Sequence, residues 1–318
     1  MIAGGPRAIL RAVTDIEAEI ARQPRAWREV AELGEELSSR LVRPGERVAF
    51  VGCGSSWFAG QTVAALRERL GAGTSDAFCA SELPVGRRYD TVVAISRSGE
   101  TTEAVDALER SPQWARGAVQ GTGAPEAAPW RVALTTAPGT PLVAIADDAV
   151  VLEVATEEAV VETVSVTSVV ALWLAALGVD VDGAIEAAET ALSAPLPDRL
   201  FAASQHVLLG TGHGVGLAHE GALKLREAAG AWAESYPASE LRHGPLGAIG
   251  PHSLVWSIGE LPGELVDASR DAGAGVVPTT GEALADVVLV QRSAVALARR
   301  LGRDPAHPPR LERAVVLR

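Results

Sequence analysis

The sequence predicts an α/β protein of two lobes, each a parallel sheet flanked by helices. Two observations carry this. Short apolar runs alternate with segments of helical periodicity, as parallel strands and their crossover helices do. The opening pattern then returns in the second half of the chain, as a duplicated unit would. With 318 residues the chain is long enough for two lobes of ordinary size.

Taken in order, residues 8–42 read as helices. Ile16 and Ile20, then Val30, Leu33, Leu37 and Leu41, fall at helical spacings, with Thr14 and Asp15 as candidate N-caps. Pro44 and Gly45 end this region. The run RVAFVG (47–52) is a buried strand that ends in GCGSS, and 56–70 is a helix with Val63, Leu66 and Leu70 on its apolar side. TVVAI (91–95) is a second strand, followed by SRSGETTE and a helix from about Thr102. Residues 132–135 and 149–152 are a third and a fourth strand, and the Gly/Ala/Pro-rich stretch 117–129 between helix and strand is a loop. HVLLG (206–210) restarts the pattern, with GTGHG where GCGSS stood before. The segment 275–290 echoes 132–152 as strand, Thr-Thr, Gly, helix, Ala-Asp, strand. These readings divide the chain into an N-terminal helical segment (1–45), a first lobe (46–175), a helical connector (176–194) and a second lobe (195–318).

Composition narrows the function. Hydrophobic residues make up 47% and charged residues 21%, as in an ordinary globular protein. The net charge of -12 argues against a nucleic-acid binder, which carries a basic face. It leaves room for a small anion, because a few backbone N–H groups at a helix start suffice to hold a phosphate. Cys53 and Cys79 are the only cysteines, too few for a disulfide framework or a cysteine zinc site. No metal or cofactor is expected. No apolar run is long and uninterrupted enough to predict a membrane span, and MIAGGPRAIL lacks the features of a secretion signal, so a cytoplasmic location is the expectation.

In an open parallel sheet, ligands bind beyond the carboxyl ends of the strands. GCGSS lies there, where Ser55 and Ser56 either donate to a ligand or simply cap the next helix. Ser96, Arg97, Ser98 and Thr101 in SRSGETT fit a phosphate cradle at a helix start, with Arg97 adding a charge-assisted bond; a solvated capped loop is the plainer alternative. In EAVVETVSVTS (158–168), Thr163, Ser165 and Thr167 line a pocket or sit on a buried helix. On the helix EGALKLRE (220–227), Glu220, Lys224 and Glu227 share one face. A carboxylate and a cation are the groups that move a proton between adjacent carbons, so Glu227 and Lys224 are candidate acid–base residues. His243, before Gly-Pro, is a candidate for ring opening of a sugar.

The segments GCGSSWFAG, SRSGETTE and HEGALKLREAAGAWAESYPASELRHGPLGAI resemble the isomerase region of glucosamine-6-phosphate synthase and its stand-alone relatives in the sugar isomerase (SIS) family. EIARQPRAW and HPPRLERAVVLR resemble the family's entry and closing segments. The resemblance implies two SIS lobes of flavodoxin-like three-layer form and a homodimer whose active site is shared between subunits. It implies a phosphorylated sugar substrate held at Ser56, Ser96, Arg97, Ser98 and Thr101. It assigns Glu227 as base, Lys224 as its charged partner, Glu220 as a site-lining acid, and His243 as a ring-opening group from the neighbouring subunit. The sequence departs from the synthase in four ways. It shows no glutaminase segment, Arg97 replaces a Gln, Ser165 replaces a Lys, and Arg313 stands where a Schiff-base Lys is found. A guanidinium stays protonated and cannot form that Schiff base. The expected activity is therefore isomerising deamination of an amino-sugar phosphate. A deglycase, a plain ketose/aldose isomerase and a non-catalytic sugar-phosphate sensor are the alternatives.

Overall fold

The computed structural model describes residues 15–41, 43–84, 87–116 and 128–317. Thr14, the start of the predicted opening helices and most of the predicted loop at 117–129 lie outside the described residues.

Among the described residues, three helices come first: α1 (Ile16–Ala21), α2 (Gln23–Glu36) and α3 (Ser38–Leu41). Asp15 caps α1, its side chain accepting from the Ala18 N–H at 3.2 Å, which satisfies one of the donors that a helix start leaves free. The first sheet is built from β1 (Val48–Gly52), α4 (Ser55–Arg69), β2 (Ser75–Cys79), β3 (Thr91–Ile95), α5 (Thr102–Arg116), β4 (Trp130–Thr135), α6 (Pro141–Ile145) and β5 (Asp148–Val151). All its strand pairs are parallel, in the order β2-β1-β3-β4-β5. Every residue of β1 and β3 is buried, because crossover helices cover both faces of a parallel sheet.

Two helices follow, α7 (Val164–Ala176) and α8 (Asp182–Ser193). The second sheet then forms from β6 (Gln205–Gly210), α9 (Gly214–Ala229), β7 (Ala233–Pro237), β8 (Ser253–Ile258), α10 (Gly263–Asp271), β9 (Gly275–Val277) and α11 (Ala283–Arg300). Its order, β7-β6-β8-β9, repeats that of the first sheet without a counterpart of β5. The α/β class and two parallel sheets expected from the sequence are present. Three strands were not read from sequence. β2 and β7 are half-buried edge strands of mixed polarity, SDAFC and AESYP, with no apolar run to mark them. β8, although fully buried, was not assigned either.

One expectation is corrected. The run VVLV (287–290), read as a strand closing the second echo, lies inside α11. A fully buried apolar run has no face-specific periodicity, so its length must decide. Here the run continues through QRSAVALARR without a breaker, and 18 residues make a helix.

The largest apolar cluster is continuous between the sheets. It joins Phe50 of β1 and Trp256 of β8 to residues of α2, α4, α7, α9 and α11. Smaller clusters cover the outer face of each sheet. Helices α4 and α9 approach closely where Gly216 faces Phe58 and Thr62. A Cβ at Gly216 would lie 2.6 Å from the Phe58 carbonyl oxygen and 2.4 Å from Thr62 Oγ1. This approach lets side chains of the second half reach the strand ends of the first. The first sheet's order reverses between β1 and β3, and the loops after those two strands therefore open on one crevice.

Candidate active site

The β1–α4 turn is shaped by its glycines. Gly54 takes φ +53°, the left-handed region that favours glycine. A Cβ at Gly52 would sit 2.8 Å from Ser56 Cβ. The tight turn places Ser55 at the first residue of α4, where N–H groups and the helix dipole favour an anion. The Ser55 hydroxyl accepts from Lys224 Nζ at 3.0 Å. Ser56, also buried, faces a small internal space shared with Arg97, Thr135 and Glu162.

The β3–α5 turn presents the second helix start. Ser96 Oγ accepts from the Gly99 N–H at 3.1 Å and donates to Thr101 Oγ1 at 3.3 Å, while Ser98 Oγ accepts from the Glu100 N–H at 3.2 Å. These bonds brace the turn from within. Arg97 is buried, and its guanidinium donates to the carbonyls of Ala159 at 2.7 Å, Val160 at 3.2 Å and Arg313 at 2.8 Å. The Arg97 side chain thus ties the turn to two neighbouring segments. Thr163 is likewise engaged, since its N–H and hydroxyl both donate to Glu157 Oε2 at 2.8 Å. Glu157 also accepts from the N–H groups of Val164 and Ser165 and from the Ser165 hydroxyl, and so caps α7.

Helix α9 delivers the ionisable groups. Lys224 is fully buried, with Nζ 2.7 Å from Glu227 Oε2 and 3.3 Å from Glu220 Oε1. Burial works against the lysine's charge, but the carboxylates of Glu220, Glu227 and Glu162 outweigh it and hold Lys224 above the usual lysine range. Burial pushes the Glu220 carboxyl up to about 7 against the pull of Lys224, and Glu227 and Glu162 add to the rise. Glu227 is the outermost of the three, its side chain 22% exposed against 1% for the other two.

These elements enclose a cleft of roughly 560 Å³. Its walls are Ser55 and Cys53 from the first turn, Arg97 and Thr101 from the second, Glu162 from the segment before α7, Glu227 from α9, and residues 310–315. Those last residues are held in place by the Thr102 N–H, which donates to the Val315 carbonyl at 3.1 Å, and by the Arg313–Glu158 ion pair at 3.1 Å. Of the residues singled out from sequence, Ser55, Arg97, Thr101, Glu227 and Arg313 line this cleft. Lys224 and Glu220 lie behind it; Ser56, Ser96, Ser98 and Thr163 brace its walls or stand beside it. His243 does not reach it. That side chain is exposed at the end of the turn Ala238–His243, beyond β7. Sequence reasoning missed Glu157 and Glu162. The clue lay in a run of acids just ahead of the hydroxyl-rich start of α7, where a cap and a cleft carboxylate both belong. Among the described residues, no cluster of His, Cys, Asp and Glu could hold a metal ion, and no helix is long and apolar enough to cross a membrane.

No protein-family model matches the chain. Its sequence is similar to isomerizing glutamine–fructose-6-phosphate aminotransferases. It is 31% identical to that of Halobacterium salinarum over 279 residues, covering 76% of this chain and 44% of the relative. It is 32% identical to that of Caulobacter vibrioides over 267 residues, covering 74% and 42%. The chain thus spans less than half the length of these two relatives. Its structure resembles glucosamine-6-phosphate deaminase from Thermotoga maritima, with a TM-score of 0.74 and 22% identity over 95% of this chain and 100% of that one. It also resembles tagatose-6-phosphate ketose/aldose isomerase from Escherichia coli, with a TM-score of 0.73 and 19% identity over 92% and 96%. At these identities the structural likeness establishes the fold. By fold and by sequence likeness together, the chain belongs to the sugar isomerase (SIS) family and resembles the isomerase region of glucosamine-6-phosphate synthase.

Proposed function

We propose that this protein is an enzyme that binds an amino-sugar phosphate and converts it by isomerising deamination, glucosamine 6-phosphate and water giving fructose 6-phosphate and ammonia. The observation that carries the reading is one shared cleft: two helix starts with their hydroxyls on one side, and the Glu227 carboxylate on another. The helix starts suit a phosphate. Glu227, at the cleft surface and fixed by Lys224, suits a general base.

In the open-chain sugar, Glu227 takes the proton from C2 to give an enolamine and returns it to C1, leaving an imine at C2. Water adds to that carbon and ammonia departs. Lys224 keeps a positive charge beside the base and orients it through the 2.7 Å contact. His243 fits a role in ring opening from a neighbouring subunit of a homodimer. The names of the similar proteins, an isomerizing aminotransferase, a deaminase and a ketose/aldose isomerase, agree with proton transfer at this pair of carbons. The volume of the cleft favours one second reading. It has room for a sugar phosphate bearing a larger amine substituent, the substrate of a deglycase.

A coupled assay of ammonia, released amino acid and fructose 6-phosphate over a panel of sugar phosphates separates these readings. Ammonia with fructose 6-phosphate from glucosamine 6-phosphate is the expected result, lost at least about a hundredfold in Glu227→Gln. No turnover of any panel member would point to a sensor instead.

A further inference from the structure

Of the two half-buried carboxylates that line the cleft, Glu227 and Glu162, Glu162 is the one whose charge is less answered; Glu312, also in the lining, is exposed to water. Glu227 meets Lys224 at 2.7 Å, and Glu158 meets Arg313 at 3.1 Å. Glu162 has one ion pair, at 3.4 Å to Nε of Arg97, and feels the Lys224 charge only at longer range. Its carboxylate makes no hydrogen bond among the described residues. Arg97 has little more to offer it, since its other nitrogens already donate to three backbone carbonyls. The Glu162 side chain is 20% exposed and lines the same cleft as Ser55, Thr101 and Glu227. A half-buried carboxylate with open lone pairs is a strong acceptor for a cationic donor, because desolvation strengthens the charge-assisted bond.

Within the proposed substrate class, one group is cationic. An amino-sugar phosphate carries an ammonium where the corresponding neutral hexose phosphate carries a hydroxyl. We propose that Glu162 receives this ammonium and makes the cleft select amino-sugar phosphates over neutral hexose phosphates of the same shape. The inference rests on the sugar-phosphate reading of the cleft. It adds a residue that discriminates between ligands and takes no proton from carbon.

The test is calorimetric binding of glucosamine 6-phosphate and glucose 6-phosphate to two proteins that both carry Glu227→Gln, so that neither ligand is turned over: one with Glu162 as in the wild type, and one with Glu162→Gln, which keeps the shape and an acceptor for Arg97. The protein that keeps Glu162 is expected to prefer the amino sugar about tenfold or more, the range of a hydrogen bond to a charged group. The protein with E162Q is expected to lose that preference, with the affinity for glucose 6-phosphate kept within about twofold. Glu162→Ala in the same background, with thermal melts of both Glu162 variants, separates this from misfolding: a folded E162A loses the same preference. Equal weakening of both ligands, or no change in either, would overturn the assignment and leave the cleft reading intact. So would binding of both without preference by the protein that keeps Glu162. If that protein binds neither, the sugar-phosphate reading is removed, and the role of Glu162 with it.

Discussion

Lys224 Nζ donates to Ser55 Oγ at 3.0 Å, 169 residues apart in sequence, and so joins a helix of the second sheet to the turn that starts a helix of the first. The same ammonium holds Glu227 at 2.7 Å and Glu220 at 3.3 Å. One buried cation therefore fixes the proposed base, answers a buried acid and positions the hydroxyl of an anion-binding turn. Replacing Lys224 by Met leaves two carboxylates without their cation. Breaking a buried pair typically costs about 3–5 kcal/mol. Since Glu220 already sits at about 7, it can take up a proton, which places the loss at the lower end of that range near neutral pH. Denaturant unfolding is expected to show K224M destabilised, and the double variant K224M/E220Q to recover part of the loss. An unchanged midpoint in K224M would mean that the cluster is not stabilised by its lysine.

The close contact of α4 and α9 at Gly216 is expected to control this geometry. Gly216→Val places a side chain where even a Cβ would lie 2.4 Å from Thr62 Oγ1. Overpacking of this kind costs about 1–3 kcal/mol. The helices must part, and Lys224 moves away from Ser55. Thermal melts and the deaminase assay should fall together in G216V. Gly263→Ala, at a position where a Cβ meets nothing within 4 Å, is the control and is expected to stay within about 0.5 kcal/mol of the wild type.

The position of His243 yields a prediction about assembly. The residue is exposed and outside its own cleft. If a neighbouring subunit uses it, His243→Ala and Glu227→Gln are each inactive alone but complement one another when mixed. Unfolding and refolding an equimolar mixture gives heterodimers with one intact site, for about a quarter of the wild-type activity. Restored activity in the mixture supports the shared site; its absence, with dimers present by sedimentation, assigns ring opening elsewhere.

His206 contributes to an acid-side loss of stability, in the same direction as the half-buried His213 and His219. It is buried in β6, its Nδ1 accepting from Trp256 Nε1 at 3.3 Å, and burial pushes it down from 6.5 to about 4. The unfolded chain binds the proton first as pH falls, so stability is full above about 6.5 and is lost progressively toward 4. The contribution is about 3 kcal/mol at most. Glu220 acts with the opposite sign: its carboxyl is raised from 4.5 to about 7, so its stabilisation is full at low pH and fades as pH rises through that window. The two offset between 4.5 and 6.5. Glu220→Gln is therefore expected to make the acid-side fall steeper, measured by denaturant midpoints at pH 4, 5, 6 and 7. An identical pH profile in E220Q would contradict the opposing contributions.

Much of this molecule was legible in its residues. The strands β1, β3 and β6 announced themselves because a strand covered on both faces is an unbroken apolar run. The edge strands β2 and β7 did not, because half-buried segments of mixed polarity carry no such run. The run at 287–290 was misread because burial on all sides erases the difference between strand and helix, and only the uninterrupted length of α11 decides.

At the candidate site the division follows the reach of interactions along the chain. The glycine turn with Ser55, the hydroxyl turn after β3, and the shared face of Glu220, Lys224 and Glu227 are local features, set by residues a few positions apart. Residue types and spacing alone fixed them as candidates. Only the tertiary structure brought Ser55 and Glu227 onto one cleft, turned the Arg97 guanidinium toward backbone carbonyls, made Thr163 and Ser165 partners of Glu157, and left Glu162 facing the cleft with one ion pair at 3.4 Å. Apart from the Glu157 cap, whose partners lie 6 and 8 residues away, these relationships span tens to hundreds of residues. Which polar group meets which depends on how helices and loops from distant parts of the chain pack, and no short-range pattern carries that information.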